Sequence, residues 1–253
     1  GPPRLGAARI VADVTTRPGG LTQARAQAQA PGATLAYEGG FLLPALLAGA
    51  PQALGVVSLD AENVAPLLTA AGVLAPGGFA RGGADVAAQV ATTGDGLAFE
   101  GLRGWAFGTR VSGAARLVGG GRGRIEGRLA MERLALADVA ALALGFPGDA
   151  PAKTPWSDRA FAPALGAEAP DVAMAIEAER LDTGLAGETG LARATLTLTP
   201  GAARLDALEA PLAGGRLAAS FGWRRDGIDA SFSGRFSATG ARFDGEAAPG
   251  PML

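Results

Sequence analysis

The chain contains no cysteine and no histidine among its 253 residues. Without cysteine there are no disulfides, thiolate nucleophiles or thiolate metal ligands. Without histidine there are no imidazole ligands, and the side chain that most often serves as a general base near neutral pH is missing. We therefore expect a protein that is not an enzyme, with no catalytic residues, no metal site and no cofactor.

Net charge is also nearly absent. Lysine and arginine together number 22 and aspartate and glutamate 24, which gives a formal net charge of −2 and a pI of about 5.3. The arginines are scattered and do not alternate with aromatic residues in a basic patch. A nearly neutral protein without a basic patch does not attract nucleic acid electrostatically, so we expect no nucleic-acid partner.

Long apolar runs are scarce, and one that contains no charged residue is Phe41 to Val57. It is only about as long as the shortest membrane spans, and it is interrupted by Pro44, Pro51, Gly49 and Gly55. A short helical turn followed by a buried strand is the favoured interpretation, and a membrane span is the alternative.

Alternation of apolar and polar residues every second position is the dominant pattern. It runs through Leu191 to Phe236 and predicts strands with one apolar and one polar face. We also expect strands near 8–14, 21–30, 33–38, 54–59, 84–92, 96–103, 109–118 and 123–132. The predicted fold is mainly β: an elongated, curled antiparallel sheet, forming an open groove or a half-rolled trough, with two or three short helices.

Two helices are predicted between the strands. Asp60 is placed to cap a helix over 61–73, and a second helix over 134–144 would end at Gly145. The pair Asp226-Gly227 is typical of a two-residue hairpin turn. The glycine-rich stretch 119–124 lacks the Lys-Ser/Thr pair of a phosphate-binding loop, and is interpreted as another hairpin.

An internal repeat and a proline-rich segment organise the chain. Phe99, Leu102 and Gly108 recur as Leu205, Leu208 and Gly214, at an offset of 106 residues, and a weaker match occurs at an offset of 76. The expected organisation is a β-rich repeat region over 1–145 with short helical insertions, a proline-rich linker over 146–155, and a β-meander region over 156–253. Trp156, after the linker, is expected to anchor the second region.

Three motifs in the second half resemble the C-terminal region of AsmA-family proteins. They are Trp156-Ser157-Asp158 followed by Phe161, then Glu179-Arg180-Leu181, then the hairpin Leu208 to Leu217 that contains Ala213-Gly214-Gly215. Their order and approximate spacing match over about 100 residues, from Pro151 to Gly250. These motifs are structural and identify a fold family rather than an activity.

The resemblance implies a long, curled sheet with an apolar concave side in a protein of the periplasm. It further implies anchoring to the inner membrane by a segment absent from this chain, and a part in phospholipid transport and outer-membrane biogenesis. The chain begins Gly1-Pro2-Pro3 with no positively charged leader, so we expect it to be a piece of a longer polypeptide. Membrane contact is then expected through missing flanking segments.

The expected site is an apolar groove that shields the acyl chains of a phospholipid or another lipid. Its candidate lining residues are Val172, Met174, Ile176, Leu196, Leu198, Leu217, Phe221, Trp223, Ile228, Phe232 and Phe236. The same alternation would also arise in a closed core, with the sheet packed under a second layer. In that alternative the chain is a structural or interaction module without lipid, whose sheet edges pair with other protein domains.

Overall fold

The computed structural model describes residues 8–18, 21–42, 52–64, 67–68, 82–119, 122–144, 164–183, 189–227 and 229–241. Strands account for 75% of this described part, which confirms a mainly β chain. The strands are β1 Arg9–Thr16, β2 Leu21–Ala30, β3 Ala33–Leu42, β4 Ala53–Ala61, β5 Ala84–Thr93, β6 Gly96–Ala106, β7 Thr109–Val118, β8 Arg124–Ala135, β9 Asp171–Asp182, β10 Ala192–Thr199, β11 Ala202–Leu212, β12 Gly215–Asp226 and β13 Asp229–Thr239.

All thirteen strands form one sheet, in which each strand lies beside its neighbours in the sequence. The sheet is open and does not close into a barrel, so β1 and β13 are its two edges. Neighbouring strands are antiparallel, as predicted, except for β8 and β9, which are parallel. The predicted open sheet is thus confirmed, with one parallel pair that the sequence pattern did not indicate.

The parallel pair depends on a crossover that carries the chain back to the end of the sheet where β8 began. The crossover starts with helix α1, Leu136–Leu144, and ends with residues 164–170, which lead into β9. Helix α1 packs against β10, β11 and β12, and the side-chain guanidinium of Arg225 donates a hydrogen bond to the Leu144 carbonyl at 3.2 Å. The crossover therefore lies on one side of the second half of the sheet.

The main core is formed where the crossover meets the sheet. Val139 and Ala143 of α1 and Leu165 and Ala169 of the returning segment are buried against apolar residues of β9 to β12. A smaller cluster joins Ala61, Val64 and Ala84 with Leu67 and Leu68, which are helical. Burial is thus concentrated in the second half, with a minor centre at one end of β3 to β6.

Tight turns connect the hairpins close to the predicted positions. The turn predicted at Asp226-Gly227 starts one residue later, because Asp226 is the last residue of β12 and pairs with Asp229. In the β6–β7 turn Phe107 and Gly108 have φ of 53° and 74°, and in the β11–β12 turn Ala213 and Gly214 have φ of 47° and 78°. Positive φ at both central residues is the signature of the type I′ turn, whose twist suits a two-residue hairpin. These two turns are related by the offset of 106 residues that the sequence predicts.

The helix predictions hold to different extents. The helix predicted over 134–144 is confirmed, although its first two residues continue β8. The helix predicted from Ala61 starts too early, because Ala61 is the last residue of β4. The rest of that span, apart from residues 61–64 and 67–68, lies outside the described residues, as do the proline-rich linker and Trp156.

Candidate functional site

Strand register places one set of side chains on a single face across the whole sheet. Residues directly opposite each other in neighbouring strands project to the same side, so the pairing can be followed from strand to strand. Val14 lies opposite Ala24 at one edge, and Trp223 lies opposite Phe232 at the other. We call this side the apolar face. Its members, from β1 to β13, include Ile10, Val14, Ala26, Leu35, Val57, Leu59, Val86, Val90, Phe99, Leu102, Val111, Leu117, Ile125, Leu129, Ile176, Leu196, Leu205, Leu217, Trp223, Phe232 and Phe236.

The opposite side, the charged face, carries ion pairs between neighbouring strands. Arg25 of β2 pairs with Glu38 of β3 at 2.7 Å, and Arg193 of β10 pairs with Glu177 of β9 at 2.9 Å. These side chains are largely exposed, so each pair contributes little to stability. Their effect is to keep this face of the sheet solvated, while the apolar side chains lie on the opposite face.

The predicted lining residues lie together on the apolar face. Ten of the eleven fall in described strands and share this side of the sheet, while Ile228 lies outside the described residues. Register brings Leu196 opposite Met174, Leu198 opposite Val172, and Trp223 opposite Phe232. The alternation therefore identified one continuous surface.

The crossover divides these residues into a covered and an uncovered group. Six are buried in the core beside α1 and the segment 164–170, and two others, Val172 and Phe221, are partly buried against it. The six are Met174, Ile176, Leu196, Leu198, Leu217 and Trp223. By contrast Phe232 and Phe236 of β13 are 62% and 76% exposed. Phe232 rests on Phe221 and Trp223, with ring centroids 6.1 and 5.7 Å apart.

The first half of the sheet holds an apolar surface that the predicted lining omitted. Val57, Val90 and Phe99 are half-buried, and Leu35 and Val14 are exposed, although all five lie on the apolar face. The same two-residue alternation runs through β4 to β8 in the sequence, so this pattern could have predicted the apolar surface of the first half. We call the apolar face of β2 to β6 the uncovered stretch, because among the described residues the main core extends only over β7 to β12 and the smaller cluster covers only one end of β3 to β6.

The hydroxyl of Tyr37 is one of several polar groups on the uncovered stretch, together with those of Thr22 and Thr92. The ring of Tyr37 lies over the backbone of Gly39 and Gly55, where an added Cβ would come within 2.5 Å of the tyrosine. Its hydroxyl is buried and has no hydrogen-bond partner within the described residues.

The described depressions of the surface lie on the charged face. A depression around Trp105, of about 510 Å³, is lined by Asp85, Arg103, Arg110 and Glu179 among others. The guanidinium carbon of Arg110 stacks 5.4 Å from the centre of the Trp105 ring. This depression holds no nucleophile with an adjacent base, and the described residues contain no cluster of carboxylates suited to a metal ion.

Two carboxyl groups have shifted pKa values, and neither belongs to the apolar face of the strands. Burial at the start of α1 raises the pKa of Asp138. Hydrogen bonds from Arg116 and then Thr93 lower the pKa of Asp95, in the β5–β6 turn. Each shift has its own local cause, and neither carboxyl group contributes to the shift of the other, so the pair does not form an acid–base site.

Comparison with known proteins adds no further assignment. No family model matches the chain, and no match was found among curated proteins or solved structures. Among the described residues no helix has the length and apolar character needed to cross a bilayer. The resemblance to the AsmA family therefore depends on the motif residues alone.

Proposed function

We propose that the chain is a non-enzymatic segment of an AsmA-like envelope protein of the periplasm, and that its apolar face shields lipid acyl chains during phospholipid transport or outer-membrane biogenesis. The observation that carries this proposal is the continuity of the apolar face from β1 to β13. A sheet with one continuous apolar face suits a bound molecule that needs only shielding from water and no chemical reaction.

The energetics of acyl-chain transfer fit such a surface. Each methylene group exposed to water costs about 0.8 kcal/mol, so a sixteen-carbon chain needs on the order of 12 kcal/mol of shielding. A bilayer supplies this shielding, and a lipid carrier must supply a comparable amount from valine, leucine and phenylalanine side chains such as those of the apolar face. Exchange between the two is then nearly balanced, and no chemical step is needed.

Burial favours the uncovered stretch over the second half as the binding surface for an acyl chain. There the side chains of Val57, Val90 and Phe99 are only half-buried, so a guest chain gains apolar contact. Beneath α1 the equivalent positions already have partners from the crossover. The lipid proposal therefore shifts from the residues predicted by sequence to β2–β6, with Phe232 and Phe236 as a further exposed apolar patch.

The covered half favours a second candidate, a structural β-module that binds no lipid. Residues such as Leu205 and Leu208 are completely enclosed, as in an ordinary core. If the uncovered stretch is enclosed in the same way by other parts of the protein, the sheet only supports its neighbours. The two candidates differ in whether a lipid can reach Val57.

Native mass spectrometry after incubation with phosphatidylethanolamine–phosphatidylglycerol vesicles separates them. We expect the purified chain to retain one or more phospholipids, and we expect Val57→Asp to lose them. Val56→Asp is the matched control, because Val56 is the adjacent valine, on the charged face and 48% exposed. Circular dichroism verifies that both variants keep the sheet.

Retention by wild type and Val56→Asp together with loss in folded Val57→Asp supports lipid shielding. A folded wild-type protein that retains no phospholipid contradicts the proposal and supports the structural module. Equal retention in the two variants also contradicts it, since the lipid would then not lie on the apolar face.

A further inference from the structure

Both edge strands of the sheet are exposed along their full length within the described part of the chain. All eight residues of β1 and all eleven of β13 are exposed. Neither strand contains proline or lysine, and neither has a bulge in its pairing with the neighbouring strand. Proline, bulges and charged side chains, especially lysine, are the features that natural sheets use at an edge to prevent pairing with another strand. Of these, β1 and β13 carry only charged side chains, of both signs, which can pair with opposite charges on a second copy.

The direction of the edge strands makes them complementary to each other. If all thirteen strands alternated, β1 and β13 would be parallel. The single parallel pair, β8–β9, shifts the alternation by one step, so β1 and β13 are antiparallel. A second copy placed beyond β13 in the same orientation therefore offers its β1 as an antiparallel neighbour, with its apolar face on the same side.

Charge complementarity favours one register for the pairing of β1 with β13 of another copy. Arg235 and Asp13 both lie on the charged face, next to the middle of their strands, and neither makes an ion pair within the described residues. With Asp13 opposite Arg235, all eight residues of β1 pair with positions 232–239 of β13. A slip of four residues would place Arg9 opposite Arg235, and like charges directly opposite each other are unfavourable.

Side-chain size agrees with this register. On the apolar face Phe236 lies opposite Ala12, and Gly234 lies opposite Val14. Large residues thus face small ones along the pair. On the charged face Ser233 lies opposite Thr15, and hydroxyl side chains of this kind form favourable cross-strand pairs.

We propose that β1 of one copy pairs antiparallel with β13 of a second copy, with Asp13 opposite Arg235, so that the sheet and its apolar face continue from one molecule to the next. The contact is heterologous, so each copy retains one free edge and can add another. One strand pair is smaller than the roughly 1,200 Å² of a standard stable interface, so association depends on protein concentration. This proposal does not depend on lipid binding.

Cysteine cross-linking tests the contact directly, because the chain has no cysteine of its own. Four single-cysteine variants are made: Ala12→Cys, Thr15→Cys, Ser233→Cys and Phe236→Cys. Proteins with cysteine in β1 are mixed with proteins with cysteine in β13 under mild oxidation, and mixed disulfides are counted by mass. The same-face mixtures are 12 with 236 and 15 with 233, and the crossed-face mixtures, 12 with 233 and 15 with 236, are the controls.

We expect mixed disulfides to form at least several-fold faster in the same-face mixtures, and the sedimentation coefficient of the wild-type chain to rise with concentration. Asp13→Arg should weaken association, and mixing it with Arg235→Asp should restore it. The proposal is overturned if the wild type remains monomeric at all concentrations. Equal rates in same-face and crossed-face mixtures, or a predominance of disulfides between two β13 strands, also overturn it.

Discussion

Ala207 and Gly101 occupy the same position in two hairpins, and both have left-handed backbone conformations, with φ of 51° and 60°. In each hairpin the residue lies in a β-bulge that places two residues opposite one on the neighbouring strand. The two positions are 106 residues apart, which is the offset between the two copies of the repeat. Both copies of the repeat therefore contain the β-bulge as well as the apolar pattern.

Exchanging the residues at these two bulges should change stability in opposite directions. Left-handed conformation costs a residue with a Cβ about 1–2 kcal/mol, while glycine also loses more entropy on folding. We expect Ala207→Gly to raise the free energy of unfolding by about 0.5 kcal/mol, and Gly101→Ala to lower it by about 1 kcal/mol. An added Cβ at Gly101 meets no atom within 4 Å, so the effect there is conformational. Urea denaturation measures both, and a loss of stability in Ala207→Gly would contradict the bulge assignment.

Covered and uncovered positions of the apolar face should respond differently to truncation. Leu205 lies beneath the crossover and is 0% exposed, so Leu205→Ala should lower the free energy of unfolding by about 2–5 kcal/mol. Phe236 projects from the same face on an edge strand, and Phe236→Ala should cost less than about 1 kcal/mol. Chemical denaturation at low protein concentration provides the comparison. Similar losses at the two sites would mean that β13 is also covered.

Removing the Tyr37 hydroxyl should stabilise the lipid-free chain. A buried hydroxyl without a hydrogen bond costs about 1–3 kcal/mol, whereas the ring can keep its position over Gly39 and Gly55. We therefore expect Tyr37→Phe to raise the free energy of unfolding by about 1 kcal/mol. Thermal and urea unfolding of delipidated protein measure this change. A clear loss of stability would show that the hydroxyl has a partner.

The Arg116–Asp95 pair should contribute stability that depends on pH. The hydrogen bond from Arg116 holds the pKa of Asp95 below its usual value of 3.8. A lowered pKa in the folded state means that the contribution is present above pH 3.8 and is lost as the pH falls through the folded-state value. Arg116→Gln should therefore be less stable than wild type at pH 7, with the difference shrinking below pH 3.8. Arg128→Gln serves as the control, and a difference that does not depend on pH would contradict the assignment.

The strands could be predicted because one physical rule, alternation across a sheet, acts locally. Leu196, Leu198 and Trp223 each alternate with polar neighbours, and this was enough to place them on one face. The hairpin turns were predictable only in part. Gly214 marks the β11–β12 turn, but the turn predicted at Asp226-Gly227 starts one residue later, because Asp226 still pairs with Asp229 and only Gly227 of the two has positive φ.

The parallel β8–β9 pair could not be read from local pattern. Which strands pair across a long connection is decided by packing of the crossover, and nothing in Arg124–Ala135 or Asp171–Asp182 indicates their relative direction. The covering of Leu196 and Leu217 by α1 follows from that connection, so the covered part of the apolar face could not be predicted either.

The weaker repeat, which matches Leu21 to Leu97, does not place these two residues on the same face of the sheet. The bulge at Gly101 adds one residue, which places Leu97 on the apolar face and Leu21 on the charged face.

The most direct measurement of acyl-chain contact uses the adjacent positions 56 and 57. A bimane fluorophore is attached to Val57→Cys or to Val56→Cys, and each labelled protein is incubated with phospholipid brominated in its acyl chains, which quenches the fluorophore only at short range. We expect strong quenching at position 57, on the apolar face, and little at position 56, on the charged face. Absence of quenching at position 57 in the folded protein, or equal quenching at the two positions, would contradict the claim that the apolar face shelters lipid chains.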